Sequence, residues 1–575
     1  MHQVQPTVTA MLLASAICVL TACGGGSGAI PTTTAAAPEV VAQAMATGSN
    51  PMIASADNAV SSAPTAADDS STLAALEAAN PPDAALDAAT DASAAGRARA
   101  SAVQIAPTCS TMPAALPALG PAPAGARSVA EFGAIPNDGK DDSDAIQRAV
   151  NSIKPGEWLV FPPGWYAQNR TIRIATPNIT LWGEGAGIAA TNPDDQALLI
   201  AADGVSILKF TLNAATGARQ SAPWQSRIAV FASDDMSKPR IKNVTIRGNR
   251  ILNAGWRGAA YANSASAAGI FVYHAQDFLI AENSVYRSLA DAIHLTGGSR
   301  NGRVTGNFVL EPGDDMVAVV SYLYDGHWND INASVAASQL ATLSDQALTR
   351  NVIIENNDVI GQYWGRGITV VGGEDVTIQY NQIQKTRIGA GIYISREAGW
   401  GTQGVHNVAV RNNVIRHVQT DMSGYTANGV VPVNSRTSQA GIEIYSQMMN
   451  EEAAIPSLAN SLTVTDVNVQ SNVIDDVIRD GIRIGEGSGQ HFQVSDPTGR
   501  MRDSVGGNVG RIGLVGNKMS RISNTAISVL NKPSAGNNLY CSGNLKDGAA
   551  VTGAGCGGAA PTVTGSALPS FCTAR

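Results

Sequence analysis

The chain has 575 residues, with 38 Lys and Arg against 46 Asp and Glu, a formal net charge of −8. That balance argues against a nucleic-acid partner, which needs a basic surface for its phosphates; a neutral or cationic partner stays open, as does an anionic glycan taken at a local basic patch. Charged residues make up 15% and aromatics 5%, values suited to Gly-rich and Asn-rich β-structure, and a repeat fold growing along one axis removes the usual inference from length to several domains.

Met11 to Leu20 is an apolar run too short to span a bilayer, so it predicts the core of an export signal. Leu20-Thr-Ala-Cys23, followed by three glycines, resembles a bacterial lipobox. The resemblance implies lipidation at Cys23, a lipid anchor to the membrane and a place in the bacterial cell envelope. Gly24 carries no inner-membrane retention signal, which favours the outer membrane, with simple secretion as the alternative. From Gly24 to Ala126 the chain is Ala, Pro, Thr, Ser and Asp with few large apolar residues, too little to offset the entropy of ordering, and it reads as a tether. In an oxidising compartment Cys109, Cys541, Cys556 and Cys572 are disulfide candidates. Cys541 with Cys556 would close a short loop and Cys109 with Cys572 would clasp the ends, but connectivity is not decided by spacing.

Asp142-Ser-Asp144 precedes Ile146, Ala149, Val150 and Ile153, a capping signal ahead of an i, i+3, i+4, i+7 stripe. That pattern predicts a short amphipathic helix closing the open end of a solenoid. Beyond it an aliphatic residue, two variable residues, Asn, one variable residue and a second aliphatic residue recur, with the asparagines at 249, 283, 307, 357, 381, 413, 472 and 517. The shortest spacing, 24 residues from Asn283 to Asn307, is one coil of short strands and turns, and the units alternate apolar and polar residues at period two. The expected fold is an all-β solenoid whose asparagines stack and bond one another inside a turn. Each copy leads to a second strand such as Asp291-Ala-Ile-His-Leu, Asp315-Met-Val-Ala-Val or Arg366-Gly-Ile-Thr-Val, with the aliphatics inward and the residue between them outward. Insertions near 324–350, 446–462 and 486–510 follow this strand, so they should gather on one edge and wall a groove.

Glu131-Phe-Gly-Ala-Ile-Pro-Asn-Asp-Gly-Lys-Asp-Asp-Ser-Asp-Ala-Ile-Gln147, Phe161-Pro-Pro-Gly-Trp-Tyr166 and Ile179-Thr-Leu-Trp-Gly-Glu-Gly185 resemble the opening of the rhamnogalacturonase/epimerase-like pectate-lyase domain of the pectin-lyase-like superfamily. The resemblance implies a right-handed parallel β-helix and, for most members, an extracellular enzyme acting on carbohydrate. The expected organisation is a signal at 1–23, a tether at 24–126, the β-helix at 127–535 and a cysteine-bearing cap at 536–575, with a monomer as the expected state.

Aligning the copies stacks Ala268, Asp291, Asp315, Arg366, Ala390, Ala440, Asp480 and Thr525 in one column. Two carboxylates about 4.8 Å apart repel by roughly 3 kcal/mol at an effective dielectric near 20, enough to hold one proton as a general acid requires. Asp314 adds a third carboxylate, and glycoside hydrolysis needs one carboxylic acid and one carboxylate. These features resemble the polygalacturonases and rhamnogalacturonases, in which an Asp, a Gly-Asp-Asp, a Gly-His-Gly and an Arg-Ile-Lys make an inverting site. Asp291 and Gly313-Asp314-Asp315 match the first two motifs, whereas Gly365-Arg366-Gly367 and Arg387-Ile388-Gly389 depart from the last two. The resemblance implies Asp315 as general acid and Asp291 with Asp314 on the water. The candidate catalytic residues are therefore Asp291, Asp314, Asp315 and Arg366, with His294, Tyr393, Arg396, Glu443 and Arg483 as candidate substrate-binding residues and a polysaccharide as substrate. No metal or nucleotide motif is present, and no cofactor is expected for a hydrolase. The alternatives are a lyase or epimerase, in which the carboxylates hold Ca²⁺ and Arg366 abstracts a proton, and a non-catalytic glycan-binding solenoid. Against any chemistry, Asp at such turns often only bonds backbone amides.

Overall fold

A computed structural model describes residues 115–551 except 216–221, 253–267, 289, 324–344, 363–364, 422–435, 488–490, 494–500 and 531–538. Cys23, Cys109, Cys556 and Cys572 lie outside these residues, as does the tether up to residue 114. Cys541, on the strand Leu539–Ser542, is disulfide-bonded.

Three sheets run the length of the molecule and are joined in parallel from coil to coil. The first sheet extends from Arg127–Ser128 to Leu539–Ser542, the second begins at Gly164–Gln168 and the third at Ile172–Ile174. Each coil contributes one short strand to each sheet, as in Gln276↔Arg300, Ser284↔Phe308 and Ile293↔Val317. This is the all-β solenoid that the repeats predict and the right-handed parallel β-helix that the resemblance implies. The aliphatic columns fill its interior: Ile246, Ile280, Val304, Ile354, Ile378 and Val410 are at most 1% exposed. Burial of this kind contributes about 25 cal/mol per Å² and is repeated in every coil.

The first and second sheets meet at a tight turn. The residue before each asparagine takes a left-handed conformation, for example Glu282 (φ 56°), Gly306 (φ 66°) and Asn356 (φ 55°). That conformation costs a side-chain-bearing residue free energy, and the asparagine that follows offsets it. Asn283, Asn307, Asn357 and Asn381 each send backbone N–H and Nδ2 to the Oδ1 of the next asparagine at 2.9–3.0 Å. Nδ2 also donates backwards, as from Asn357 to the Val304 carbonyl at 3.0 Å, so one side chain ties three coils. Asn544 extends the ladder beyond the last repeat legible in the sequence, accepting from Asn517 at 2.9 and 3.0 Å. Parallel pairing likewise continues past residue 535, through Leu539–Ser542 and Leu545–Lys546, so the solenoid includes the start of the segment expected to be a separate cap.

The capping helix spans Ser143–Ser152 and buries Ile146, Ala149 and Val150. Asp142 sits at its N-cap but makes no side-chain cap bond. Its carboxylate instead accepts from the Ile135 and Ala167 amides at 2.9 and 3.1 Å, clamping the first coil to the helix. Residues 115–126, assigned by composition to the tether, include Pro117, whose carbonyl accepts from Arg247 at 2.5 Å. A carbonyl partner on the solenoid is what composition alone does not register.

Replacing Asn357 with Ala leaves the Asn307 amide and the Val304 carbonyl without these partners, and a buried orphan costs about 1–3 kcal/mol. Asn357→Ala should lower stability by about 2–4 kcal/mol in denaturant unfolding. A loss no larger than that of the exposed control Asn460→Ala would show that the ladder is not what holds the coils.

Candidate active site

The residues aligned from the sequence do form a column at the leading edge of the third sheet, where each coil enters its strand. Gly269 donates to the Asp291 carbonyl, Ala292 to that of Asp315 and Gly367 to that of Ala390. Two of the acidic side chains reinforce this stacking. Asp291 Oδ1 accepts the Asp315 amide at 2.9 Å, and Asp315 Oδ1 accepts the Arg366 amide at 2.7 Å. Asp480 does the same for Thr525 at 3.0 Å, so the column has a structural duty wherever it is Asp.

Asp314 differs. It follows Gly313, one residue before the column, and its Oδ1 is buried with no hydrogen-bond partner. Oxygens of Asp291, Asp314 and Asp315 lie within 4.8 Å of one another. Burial, followed by the charge of Asp291, pushes the Asp314 carboxyl up to about 7. Burial also raises Asp315, while Arg366 and a 2.8 Å bond from the Thr369 hydroxyl work the other way. The pair therefore holds a proton near neutral pH, and the oxygen without a donor is on Asp314.

Arg366 lies over this group, its Nη1 3.9 Å from Asp315 and its Nη2 paired with Glu397. Its guanidinium rests over the Tyr393 ring, 4.2 Å from the centroid. Burial lowers its proton affinity, but Glu397 and Asp315 outweigh that and raise it above the ordinary value. Gly365 allows the close approach, because a Cβ there would stand 2.3 Å from Asp314 Oδ1 and 2.4 Å from Asp315 Oδ1.

His294 reaches the site through Asp291, whose second oxygen pairs with its Nδ1, and its ring stacks on Phe271 at 5.5 Å. Tyr393 is 1% exposed and supports Arg366 from below. The other expected binding residues are placed elsewhere. Arg396 is fully buried, donating to the Thr402 and Gln447 carbonyls at 2.9 and 2.7 Å and pairing with Glu452. Glu443 and Arg483 do occupy outward positions, but they are committed to each other at 2.8 Å and nearly covered. Alternation along a strand gives the face of a side chain and not what covers that face.

Four residues of the site were not singled out from the sequence: Thr369, Glu397, Tyr322 and Phe271. Thr369 and Phe271 occupy the outward column of His294 and Tyr393, so register could have found them. Glu397 follows the strand Ile392–Arg396, beyond the repeated pattern. Tyr322 is 37% exposed, and its phenol is raised by its packing and by the charges of Asp291 and Glu397.

If a divalent cation were bound here, Asp291, Asp314 and Asp315 are the residues that would hold it. Two of the three already accept N–H or O–H donors, and a guanidinium stands beside Asp315, a setting suited to a proton more than to a metal.

Residues 126–391 match the family model described as rhamnogalacturonase A/epimerase, pectate lyase-like. Among solved structures, the chain is similar to the catalytic unit of a thermostable GH87 α-1,3-glucanase from Streptomyces thermodiastaticus, with 16% identity over 75% of this chain and 70% of that one and a TM-score of 0.44. It is also similar to the A-module of the mannuronan C-5 epimerase AlgE6 from Azotobacter vinelandii, with 14% identity over 73% of this chain and 99% of that one and a TM-score of 0.43. No curated protein matches the chain.

Thr369→Val keeps the shape and removes the hydroxyl donor that favours the Asp315 anion. Protonated carboxyl should then persist to higher pH in an infrared titration; superimposable titrations of variant and wild type would show that Thr369 does not hold Asp315.

Proposed function

We propose that this chain, with its rhamnogalacturonase A/epimerase, pectate lyase-like domain, is a glycan-cleaving hydrolase in which Asp314 is the general acid. The observation that carries this is the buried, unpartnered Asp314 oxygen beside two carboxylates anchored by backbone amides. With its carboxyl pushed up to about 7, Asp314 is partly protonated at neutral pH, and its side chain, which is not fully covered, can bring that proton to the glycosidic oxygen of a sugar at this face. Asp291, oriented by the Asp315 amide and by His294, is the carboxylate that directs water. Arg366 steadies the charge that appears on Asp314 when the proton leaves. This moves the acid from Asp315, as the family resemblance implied, to Asp314, because both Asp315 oxygens already accept donors.

The lyase reading needs Arg366 to give up its proton to solvent before it can take one from the sugar. Glu397 and Asp315 hold that proton more tightly than in a free arginine, which favours hydrolysis. For the amino terminus we propose lipidation at Cys23 and display at the bacterial outer membrane. Labelled palmitate should enter the wild-type chain and not Cys23→Ala; equal labelling would remove that part of the proposal.

Asp314→Asn should lower kcat by about 10²–10⁴-fold on a cleaved polysaccharide. In the wild type the rate should fall as pH rises through about 7, because the acid is active only while protonated. Reducing ends should appear without ultraviolet-absorbing unsaturated ends and should survive chelation. Unsaturated products lost on chelation would establish a lyase instead.

A further inference from the structure

The outward face of the third sheet has an uneven chemistry. On the coils before Asp315, Phe231, Phe271 and Tyr273 form an aromatic strip, with Phe271 and Tyr273 stacked at 6.3 Å and Phe231 5.6 Å from Tyr273. Phe271 and Tyr273 are half-buried, and the strip joins the acidic group through the stack of Phe271 on His294. On the far edge of the strands Tyr322 and Trp400 are 37% and 42% exposed. Flat aromatic faces of this kind suit the C–H faces of sugar rings.

Around the acidic group the cations of this face are already paired or buried. The one guanidinium at the acidic group, that of Arg366, is only 7% exposed, pairs with Glu397 and lies 3.9 Å from Asp315, which itself clusters with Asp291 and Asp314. Arg483 is paired with Glu443, and Arg396 is buried beneath the surface. Arg173 stands in the outward column at the first coil, and Lys238 lies 3.6 Å from Asp235 on the far edge. Between Asp315 and Arg350 the sequence holds no lysine or arginine. A polyuronate brings one carboxylate per sugar acid, and at the acidic group each would meet like charge, with Arg366 already paired and no other lysine or arginine contacting that group among the described residues.

We infer that this face of the third sheet takes an uncharged polysaccharide, stacked on Phe271 and its aromatic neighbours, and rejects polyuronates. The inference rests on reading this face as a glycan site and names its substrate class. It departs from the galacturonate substrates that the family resemblance suggests.

The test is affinity electrophoresis of the full chain through gels containing neutral glucans, mannans, galactans or arabinans, and through gels containing polygalacturonate or alginate, at low ionic strength. At least one neutral glycan should retard the protein with an affinity about tenfold or more above that for either polyuronate. Phe271→Ala should weaken that retardation by about tenfold. Retardation by a polyuronate that fades with added salt, or by no neutral glycan, overturns the inference. The same samples separate it from the hydrolase proposal: a neutral glycan that is bound but never cleaved by wild type removes the hydrolase alone, whereas reducing ends released from polygalacturonate remove the neutral-substrate inference alone.

Discussion

The structure depends on one hydrogen-bonded column. A buried asparagine gives its amide and backbone N–H to the next asparagine and receives the same from the one before, so every coil is locked to its neighbours at one point in its circuit. A parallel sheet could otherwise slip by two residues without exposing its aliphatic side chains, because alternation has a period of two. The ladder forbids the slip, since a displaced asparagine would leave several polar atoms buried without partners. With the turn fixed, positions far from it along the coil are fixed as well, including the leading edge of the third sheet.

The chemistry grows out of a second use of the same device. At that leading edge Asp291, Asp315 and Asp480 bond the amide of the next coil much as the asparagines do on the other side. A side chain engaged in this way is held still. Gly313-Asp314-Asp315 places one more carboxyl beside the clamp, where no amide of the next coil reaches its buried oxygen. Its proton affinity rises because water is excluded and negative charge is near, which is how a structural column acquires a group able to deliver a proton. Gly365 is part of the same arrangement, for any side chain there would occupy the space of both carboxylates.

The far edge of the sheet is organised by a small satellite core. Leu323, Ala398, Met448, Met449, Leu458 and Leu462 pack together outside the solenoid, and the buried Arg396–Glu452 pair crosses it. Glu397, next to Arg396, donates its backbone N–H to the Thr402 hydroxyl oxygen at 2.8 Å and so is set where it can hold Arg366. The segment around 446–462 thus contributes to the site through the strand it braces.

Periodicity alone determined the solenoid, its register and the column that brings Asp291, Asp315 and Arg366 onto successive coils. Those features repeat, and a repeat is visible in one dimension because each coil solves the same packing problem. The proximity of Asp314 was legible too, as the neighbour of Asp315. What the column does was not. Only the tertiary structure distinguished the acid with an unpartnered oxygen from the two that clamp amides, placed Glu397 against Arg366 across the sheet, and covered Arg396, Glu443 and Arg483. The physical reason is that burial and charge pairing are set by whatever lies over a residue, and at this edge the cover comes from loops and insertions that follow no period.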